Sequence, residues 1–365
     1  MTIQGKGFYI WKILETELGD TQLVADIAAQ SNYTHLMVKI ADGDHTYNVD
    51  PISGADLVPP LLDALKSQDI QRWGWHFVYG YDPVAEADIA IRRINQLDLD
   101  GYVIDAESDY KLPGRATAAR TFMDRLRKAL PNFPIALSSY RYPSYHPQLP
   151  WSEFLQKCDY NMPQVYWLQN HNPAEQLIRS VREFEALEPF RPIIPTGAAF
   201  KESGWYSTPQ DVVEFLETAQ SLNLSAANFW EWSNCRLYLP EVWKAIKNYQ
   251  WATAPAPLDI SEQYIQALNS HDPDKVAGLY TQTAVHVTAA RTVQGLPALK
   301  TWFQSFFKEI LPAATFGLTG FSGSGSTRHF TWTAVSSAGA VNNGSDTLGL
   351  VDGKIAYHYS FFTVS

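Results

Sequence analysis

Short apolar runs alternate with longer amphipathic stretches from residue 7 to about residue 250. The short runs have the length of buried strands, and the longer ones repeat their apolar positions near every 3.6 residues, which predicts helices between the strands. The predicted strands are 7–12, 35–41, 72–79, 101–107, 135–140, 160–167, 192–200 and 226–233. Eight such units match the size of a (β/α)8 TIM barrel. A doubly wound open sheet is the alternative, but no glycine-rich phosphate loop follows the first run.

A different pattern follows residue 250. Residues 251–257, Trp-Ala-Thr-Ala-Pro-Ala-Pro, are small and proline-rich, which predicts a linker. Three helical patterns come next and strand-like runs follow them, with Asp352-Gly353 as a hairpin turn. Helices followed by antiparallel strands are typical of an α+β fold. The sequence therefore predicts a barrel domain of residues 1–250, a linker of residues 251–257 and a small α+β cone of residues 258–365.

Charge and composition narrow the functional classes. The formal net charge is -10, from 28 basic and 38 acidic residues, which argues against nucleic acid as a partner because such binding needs a positive field. Cys158 and Cys235 lie far apart in sequence, and a reduced protein is the simpler interpretation. The N-terminus has no signal-peptide pattern, and no apolar run could span a membrane. We therefore expect a cytoplasmic protein without a membrane partner, with export by an unconventional route left open.

Two carboxylates end the predicted strand 101–107. Side chains two residues apart on a strand point the same way, so Asp105 and Glu107 share a face with Val103. The carboxyl ends of parallel strands are where α/β enzymes place catalytic groups. An Asp-x-Glu triplet also occurs by chance, and a solvated strand end or an arginine neighbour is the simpler alternative.

Several polar and aromatic side chains are predicted at the same rim because they follow the ends of other strands. The candidates for substrate contact are Tyr9, Asp42, His76, Tyr140, Gln164, Tyr166, Trp230 and Trp232. Carboxylates and aromatic rings at one rim are typical of a carbohydrate cleft, although rings also fill cores and His76 is equally compatible with a core position. The histidine spacings of metal sites are absent from the sequence, so neither a metal nor another cofactor is expected.

Three segments resemble the family 25 glycoside hydrolases, which are lysozyme-type muramidases with a TIM barrel. They are Val38-Lys-Ile-Ala-Asp-Gly-Asp44, Gly74-Trp-His-Phe77 and Asp105-Ala-Glu107. The first strand, Gly7-Phe-Tyr-Ile-Trp11, departs from the family because the acid that normally ends it is missing. The resemblance is therefore to a divergent branch.

The resemblance implies an O-glycosyl hydrolase acting on β-linked polymers or oligomers of N-acetylated amino sugars. Glu107 would be the general acid, which needs a raised pKa, and Asp105 would help to raise it and would orient the substrate's N-acetyl group as nucleophile. The alternative is a catalytically inactive barrel that binds carbohydrate or serves as a scaffold.

The C-terminal region resembles the SnoaL-like, nuclear-transport-factor-two-like fold. The resemblance rests on Tyr264-Ile-Gln-Ala-Leu-Asn-Ser-His-Asp272 and on Gly349-Leu-Val-Asp-Gly-Lys-Ile-Ala-Tyr-His358. It implies a pocket for a small apolar ligand, lined by His286, Asp346 and His358, with isomerase or cyclase activity as one alternative. Non-catalytic binding, or a homodimer formed through this domain, is the favoured interpretation.

Overall fold

The chain divides into two units, Met1–Thr253 and Ala254–Ser365. A computed structural model describes residues 3–252, 258–323 and 325–365. The predicted linker of residues 251–257 lies outside the described residues, apart from Trp251 and Ala252.

Eight parallel strands form a closed barrel in the first unit. They are β1 Gly5–Ile10, β2 His35–Asp42, β3 Gln71–Val78, β4 Gly101–Ala106, β5 Ile135–Tyr140, β6 Tyr160–Val165, β7 Thr196–Ala198 and β8 Ala226–Trp230. Strand β1 pairs with both β2 and β8, so the sheet has no free edge. The predicted TIM-like barrel is confirmed and the open sheet is wrong.

Helices connect the strands on the outside of the barrel. They are α1 Thr21–Gln30, α2 Val58–Ser67, α3 Pro83–Gln96, α4 Arg115–Ala129, α5 Trp151–Leu155, α6 Pro173–Glu185, α7 Pro209–Ser221, α8 Trp232–Tyr238 and α9 Pro240–Asn248. The side chains of Asp20 and Asp82 cap α1 and α3 by accepting hydrogen bonds from backbone N–H groups in the first turn of each helix, as short acidic side chains do at helix starts. The connections among the described residues also contain short elements. Four are 3-10 turns, namely Ile13–Glu15, Glu17–Gly19, Ser108–Lys111 and Pro143–Tyr145. Three are two-residue strands, namely His45–Thr46, Lys201–Glu202 and Trp205–Tyr206.

Two predicted strands are longer than the observed ones. The run 192–200 contributes only Thr196–Ala198 to the barrel. The run 226–233 ends at Trp230, because Glu231 caps α8 by accepting hydrogen bonds from the backbone N–H groups of Ser233 and Asn234.

Apolar side chains cover both faces of the barrel strands. One cluster fills the interior and includes Tyr9, Met37, Trp73, Trp75, Val103 and Met162. A larger cluster lies between the strands and the surrounding helices. Burial on both faces explains why these strands read as continuous apolar runs in the sequence.

Gly7 shows how tightly the lower barrel is packed. A Cβ atom at Gly7 would lie 2.3 Å from both a ring carbon and the backbone oxygen of His35 on the neighbouring strand. Backbone cannot move aside cheaply, so we expect Gly7→Ala to destabilise the barrel by about 3 kcal/mol. Urea unfolding followed by tryptophan fluorescence measures this change. Gly320→Ala, where the nearest contact would be an ordinary 3.5 Å, is the control, and equal stability of both variants would contradict the expectation.

The second unit packs helices against one mixed sheet. Its helices are α10 Ile260–Asn269, α11 Pro273–Ala277 and α12 Leu296–Ser305, which continues into a π-turn at Phe306–Ile310. Its strands are β9 Tyr280–Thr288, β10 Thr292–Gln294, β11 Thr315–Ser322, β12 Thr327–Ser336, β13 Gly339–Val351 and β14 Lys354–Phe361. The strand order is β10-β9-β14-β13-β12-β11, and only β9 and β14 pair in parallel. This is the predicted α+β fold.

In the part of the chain that the structure describes, every helix is too short or too polar to cross a bilayer.

Candidate functional site

One amide group holds the two predicted catalytic carboxylates together. The side-chain nitrogen of Gln164, on β6, lies 3.0 Å from Oδ1 of Asp105 and 2.9 Å from Oε1 of Glu107. The Ser138 hydroxyl, on β5, is 3.4 Å from the same nitrogen. The ends of β4, β5 and β6 therefore meet at one rim, as the barrel fold requires, and the predicted Asp-x-Glu pair is brought together there.

Asp105 and Glu107 differ in their exposure to solvent. Asp105 is only 6% exposed, whereas Glu107 is half-buried. Burial, with the nearby Glu107 carboxylate as the second cause, raises the pKa of Asp105 well above its usual range. Sequence reasoning assigns a raised pKa to Glu107, but the group whose raised pKa the structure explains is Asp105.

A buried lysine supplies positive charge that acts on Asp105. Lys39 is 4% exposed and pairs with Asp42, which also accepts a hydrogen bond from the Tyr79 hydroxyl at 2.8 Å. The Lys39 ammonium lies over the rings of Tyr47 and Trp75, at 4.2 and 4.7 Å. Its positive charge lowers the pKa of Asp105, but less than burial raises it. Asp42 therefore binds Lys39 and Tyr79 at this rim.

Aromatic rings close the barrel beneath the carboxylates. Tyr9 is 2% exposed and its ring lies 5.7 Å from that of Trp230, which lies 5.4 Å from Trp75. Tyr9 stands where the resemblance expects an acid, and the nearby Asp105 adds to the burial that raises its pKa. Tyr9 therefore forms part of the floor and is not open to a substrate, whereas the half-buried Trp230 lies higher, next to the exposed Trp11.

Two tyrosines flank the carboxylate pair. Burial and the charge of Glu107 raise the pKa of Tyr140 to about 12. Burial and the charge of Asp105 raise the pKa of Tyr166 well above its usual range. Both rings are half-buried, and Tyr166 packs edge-on against Phe200 at 5.3 Å. Both residues therefore lie beside the carboxylate pair at the rim, and their contact with a ligand stays a prediction.

His76 and Trp232 do not reach the rim. The His76 ring is fully buried, 2.8 Å from the Tyr102 hydroxyl and 2.7 Å from the Gly43 carbonyl. Trp232 is fully buried among the outer packing and donates from Nε1 to Glu17. The prediction that these two side chains bind substrate is wrong, because both point between the strands and the helices.

The burial of His76 makes stability depend on pH. Desolvation lowers its pKa to about 4, so between about pH 6.5 and 4 the unfolded chain takes up a proton that the folded chain refuses. The free energy of unfolding therefore decreases as pH falls through this window. We expect this decrease to be smaller in His76→Gln by on the order of 2–3 kcal/mol, because glutamine takes up no proton. Thermal unfolding at pH 7 and pH 5 measures the effect. The exposed His45→Gln is the control, and an unchanged pH dependence in His76→Gln would refute the assignment.

Sequence reasoning missed two basic side chains near the rim. Lys39 appears in the sequence as one polar residue within an apolar strand, which is itself a signal that a buried charge has a partner. Lys111 lies in the 3-10 turn after β4 and contacts Tyr140 on the next strand, which no local pattern shows.

The predicted C-terminal pocket residues form one buried network. His358 lies 2.9 Å from Asp346 through Nε2, and its Nδ1 is approached by the Tyr280 hydroxyl at 2.6 Å and by His286 Nδ1 at 2.9 Å. Burial, with His358 as a second cause, lowers the pKa of His286 to about 2. His286 Nε2 has no hydrogen-bond partner among the described residues. The structure thus brings His286, Asp346 and His358 together in the interior of the sheet unit.

Comparisons with known proteins identify the second unit. The family model of the SnoaL-like domain matches residues 261–358, so the C-terminal unit is a SnoaL-like domain. A search of curated proteins finds no match.

Solved structures resemble the C-terminal unit. They include a protein named as a candidate ketosteroid isomerase from Kribbella flavida (14% identity, 29% of this chain and 76% of that chain, TM-score 0.26). Another is a candidate isomerase of the SnoaL-like family from Agrobacterium tumefaciens (20% identity, 28% of this chain and 94% of that chain, TM-score 0.25). With TM-scores this low, neither bears on the activity of this chain.

Proposed function

We propose that the barrel is a glycoside hydrolase acting on β-linked polymers or oligomers rich in N-acetylated amino sugars. The observation that carries the proposal is the Gln164 amide, which holds Asp105 and Glu107 side by side at the rim. The half-buried rings of Tyr140 and Tyr166 lie beside the pair, and the half-buried ring of Trp230 lies next to the exposed Trp11. Such rings suit the apolar faces of sugars.

The two carboxylates would divide the chemistry between them. Their oxygens both lie within 3.0 Å of one nitrogen, so together they favour a state that holds one proton. Burial of Asp105 raises the pKa of its carboxyl and so favours the proton there in the free protein. A substrate acetamido group whose N–H reaches Asp105 would favour its ionised form, leaving the proton on Glu107 for delivery to the leaving oxygen. The acetamido oxygen would then attack the anomeric carbon, with retention of configuration.

The missing first-strand acid is consistent with this route. Tyr9 occupies that position and is buried in the floor, so this position of β1 supplies no carboxylate nucleophile. A substrate-assisted route needs one acid and one orienting carboxylate, and the rim supplies both.

The deciding experiment is release of reducing ends from peptidoglycan and from N-acetylglucosamine oligomers. Wild type and Glu107→Gln are compared, with de-N-acetylated oligomers as the matched substrate. Hydrolysis of acetylated but not deacetylated oligomers, lost in Glu107→Gln, would support the proposal. Binding without hydrolysis in both proteins would indicate a carbohydrate-binding barrel. Neither binding nor hydrolysis would direct attention to the His286, Asp346 and His358 network.

A homodimer through the SnoaL-like unit is a second proposal. Tyr357, Tyr359 and Phe361 alternate along β14 and are 46%, 42% and 41% exposed. Aromatic residues are enriched at protein interfaces. Light scattering of wild type and of Tyr359→Arg would decide it, since a monomeric wild type contradicts the proposal.

A further inference from the structure

Lys39 is a cation buried inside the barrel. It lies on β2, two residues after Met37, and side chains two residues apart on a strand point the same way. Met37 belongs to the cluster that fills the interior, so Lys39 points inwards as well. A buried ammonium costs free energy unless other groups replace the water that it has lost. Lys39 therefore needs partners within the barrel.

Four aromatic rings and one carboxylate enclose the Lys39 ammonium. The ring centroids lie between 4.2 and 6.0 Å from it and belong to Tyr47, Trp75, Phe77 and Trp11. The negative face of an aromatic ring attracts a cation, most strongly where water is excluded. The carboxylate is that of Asp42, which pairs with the ammonium. The rings and Asp42 together hold the positive charge at a fixed place.

The same layer of the interior contains Asp105. The Phe77 ring, which lies over the Lys39 ammonium, belongs to β3, and Phe77 is the register partner of Asp105 on β4. Charges act on one another over longer distances inside a protein than in water, because the dielectric constant there is lower. The charge of Lys39 favours the ionised form of Asp105, and the charge of Asp42 opposes it.

Six ionisable side chains act on Asp105 or feel its charge. They are Glu107 on β4 itself, Lys39 and Asp42 on β2, Tyr9 on β1, Tyr140 on β5 and Tyr166 after β6. Burial raises the pKa of each of the three tyrosines, so they stay neutral where carboxyl groups titrate. Among these six groups, Lys39 is the one whose charge draws a proton away from Asp105.

We propose that Lys39 is a positioning residue, whose charge moves the proton shared by the two carboxylates from Asp105 towards Glu107. Its ion pair with Asp42 limits this effect, because the two opposite charges partly cancel at Asp105. The inference rests on the proposed glycosidase function and adds to it the group that prepares the acid. Lys39 acts through Asp105 and neither gives up nor receives the proton itself.

Titration of Asp105 tests the inference without turnover. Infrared difference spectra show the C=O stretch of a protonated carboxyl, and loss of a band in Asp105→Asn assigns it. We expect Lys39→Met to move the midpoint up by about one pH unit, because ionised Asp105 loses a favourable charge. Asp42→Asn should move it down by about as much, because an unfavourable charge is removed. Lys39→Arg keeps the charge and should move it little.

Two further variants are the controls. The double variant of Lys39→Met and Asp42→Asn removes one charge of each sign, so it should titrate between the two single variants. Asp44→Asn changes an exposed carboxylate two residues beyond Asp42 and should titrate as wild type does. Asp42→Asn leaves Lys39 in place, so a test remains if Lys39→Met does not fold.

The pH profile of kcat/KM for N-acetylglucosamine oligomers connects the charge to the reaction. Its alkaline limb reports loss of the shared proton, so it should move up in Lys39→Met and down in Asp42→Asn. At the optimum, kcat/KM should fall about tenfold in Lys39→Met, because the proton stays on Asp105. A variant that only loosened the rim would lower kcat/KM without moving the limb.

The outcomes separate this inference from the proposed function. Opposite shifts of the Asp105 midpoint in the two single variants support the inference. Equal shifts, or none, overturn it whether or not the protein hydrolyses oligomers, because Lys39 and Asp42 would then only pack the rim. Opposite shifts in a protein that hydrolyses no oligomer support the effect of Lys39 on the proton and contradict the glycosidase proposal. Hydrolysis with an alkaline limb that stays fixed while the midpoint shifts overturns the role of Lys39 in preparing Glu107.

Discussion

Replacing Glu107 with Gln is expected to lower kcat/KM for N-acetylated oligomers by about 10³-fold, within the range that loss of a general acid produces. A glutamine keeps the size of the side chain, and its amide oxygen can still accept from Gln164, which now lies 2.9 Å from Oε1. It has no acidic proton for the leaving oxygen. Binding of the oligomer should therefore change little while turnover falls.

An activated substrate separates acid catalysis from a structural role. A 4-nitrophenyl glycoside needs little protonation of its leaving group, so Glu107→Gln should lose far less activity on it. Glu185→Gln, at the exposed end of α6, is the control for a simple change of charge. Equal losses on both substrates would contradict the assignment of Glu107 as the acid, and unchanged activity on both would place the acid elsewhere.

Asp105→Asn is expected to raise stability at neutral and alkaline pH. The pKa of Asp105 is higher in the folded protein than in the unfolded chain, where it is about 4. The contribution of Asp105 to stability is therefore complete below the unfolded-state pKa and is lost as pH rises through the folded-state pKa. Each pKa unit by which folding raises the pKa of Asp105 lowers the free energy of unfolding at high pH by about 1.4 kcal/mol. Asparagine mimics the protonated form and can still accept from Gln164, so it removes this cost.

Thermal unfolding of the variant and of wild type at pH 4 and pH 8 measures this effect. The difference in Tm should be small at pH 4 and should favour Asp105→Asn at pH 8, with some loss of activity, as is common when a strained site is relieved. Asp44→Asn, at a half-exposed carboxylate of the neighbouring loop, is the control. A difference that is the same at both pH values would show that Asp105 is not held protonated by burial.

The local features of the site could be predicted from the sequence. Alternation along a strand is a short-range property, so the sequence predicts Asp105 and Glu107 on one face together with Val103, which lies in the barrel interior. The order of strands in a barrel follows from the alternating pattern, and it brought Tyr140 and Gln164 to the same rim.

The errors have physical causes. Strand β3 is buried on both faces, so alternation could not tell whether Trp75 or His76 faces the interior. The sequence predicts Trp232 as a strand residue, but α8 begins at Trp232 because Glu231 caps this helix. The raised pKa of Asp105 and the contact between Lys111 and Tyr140 depend on packing between distant segments, which periodicity does not record.

The floor of rings beneath Asp105 also determines how molecules enter and leave. Tyr9 and Trp75 pack against each other below the carboxylates, so a bound sugar would exchange with solvent through the open rim above them. The departing half of a cleaved chain and the water that completes hydrolysis would have to use the same opening, one after the other. A second sugar hydroxyl could follow that path as readily as water, so the proposed hydrolysis would compete with transfer of the sugar to another chain.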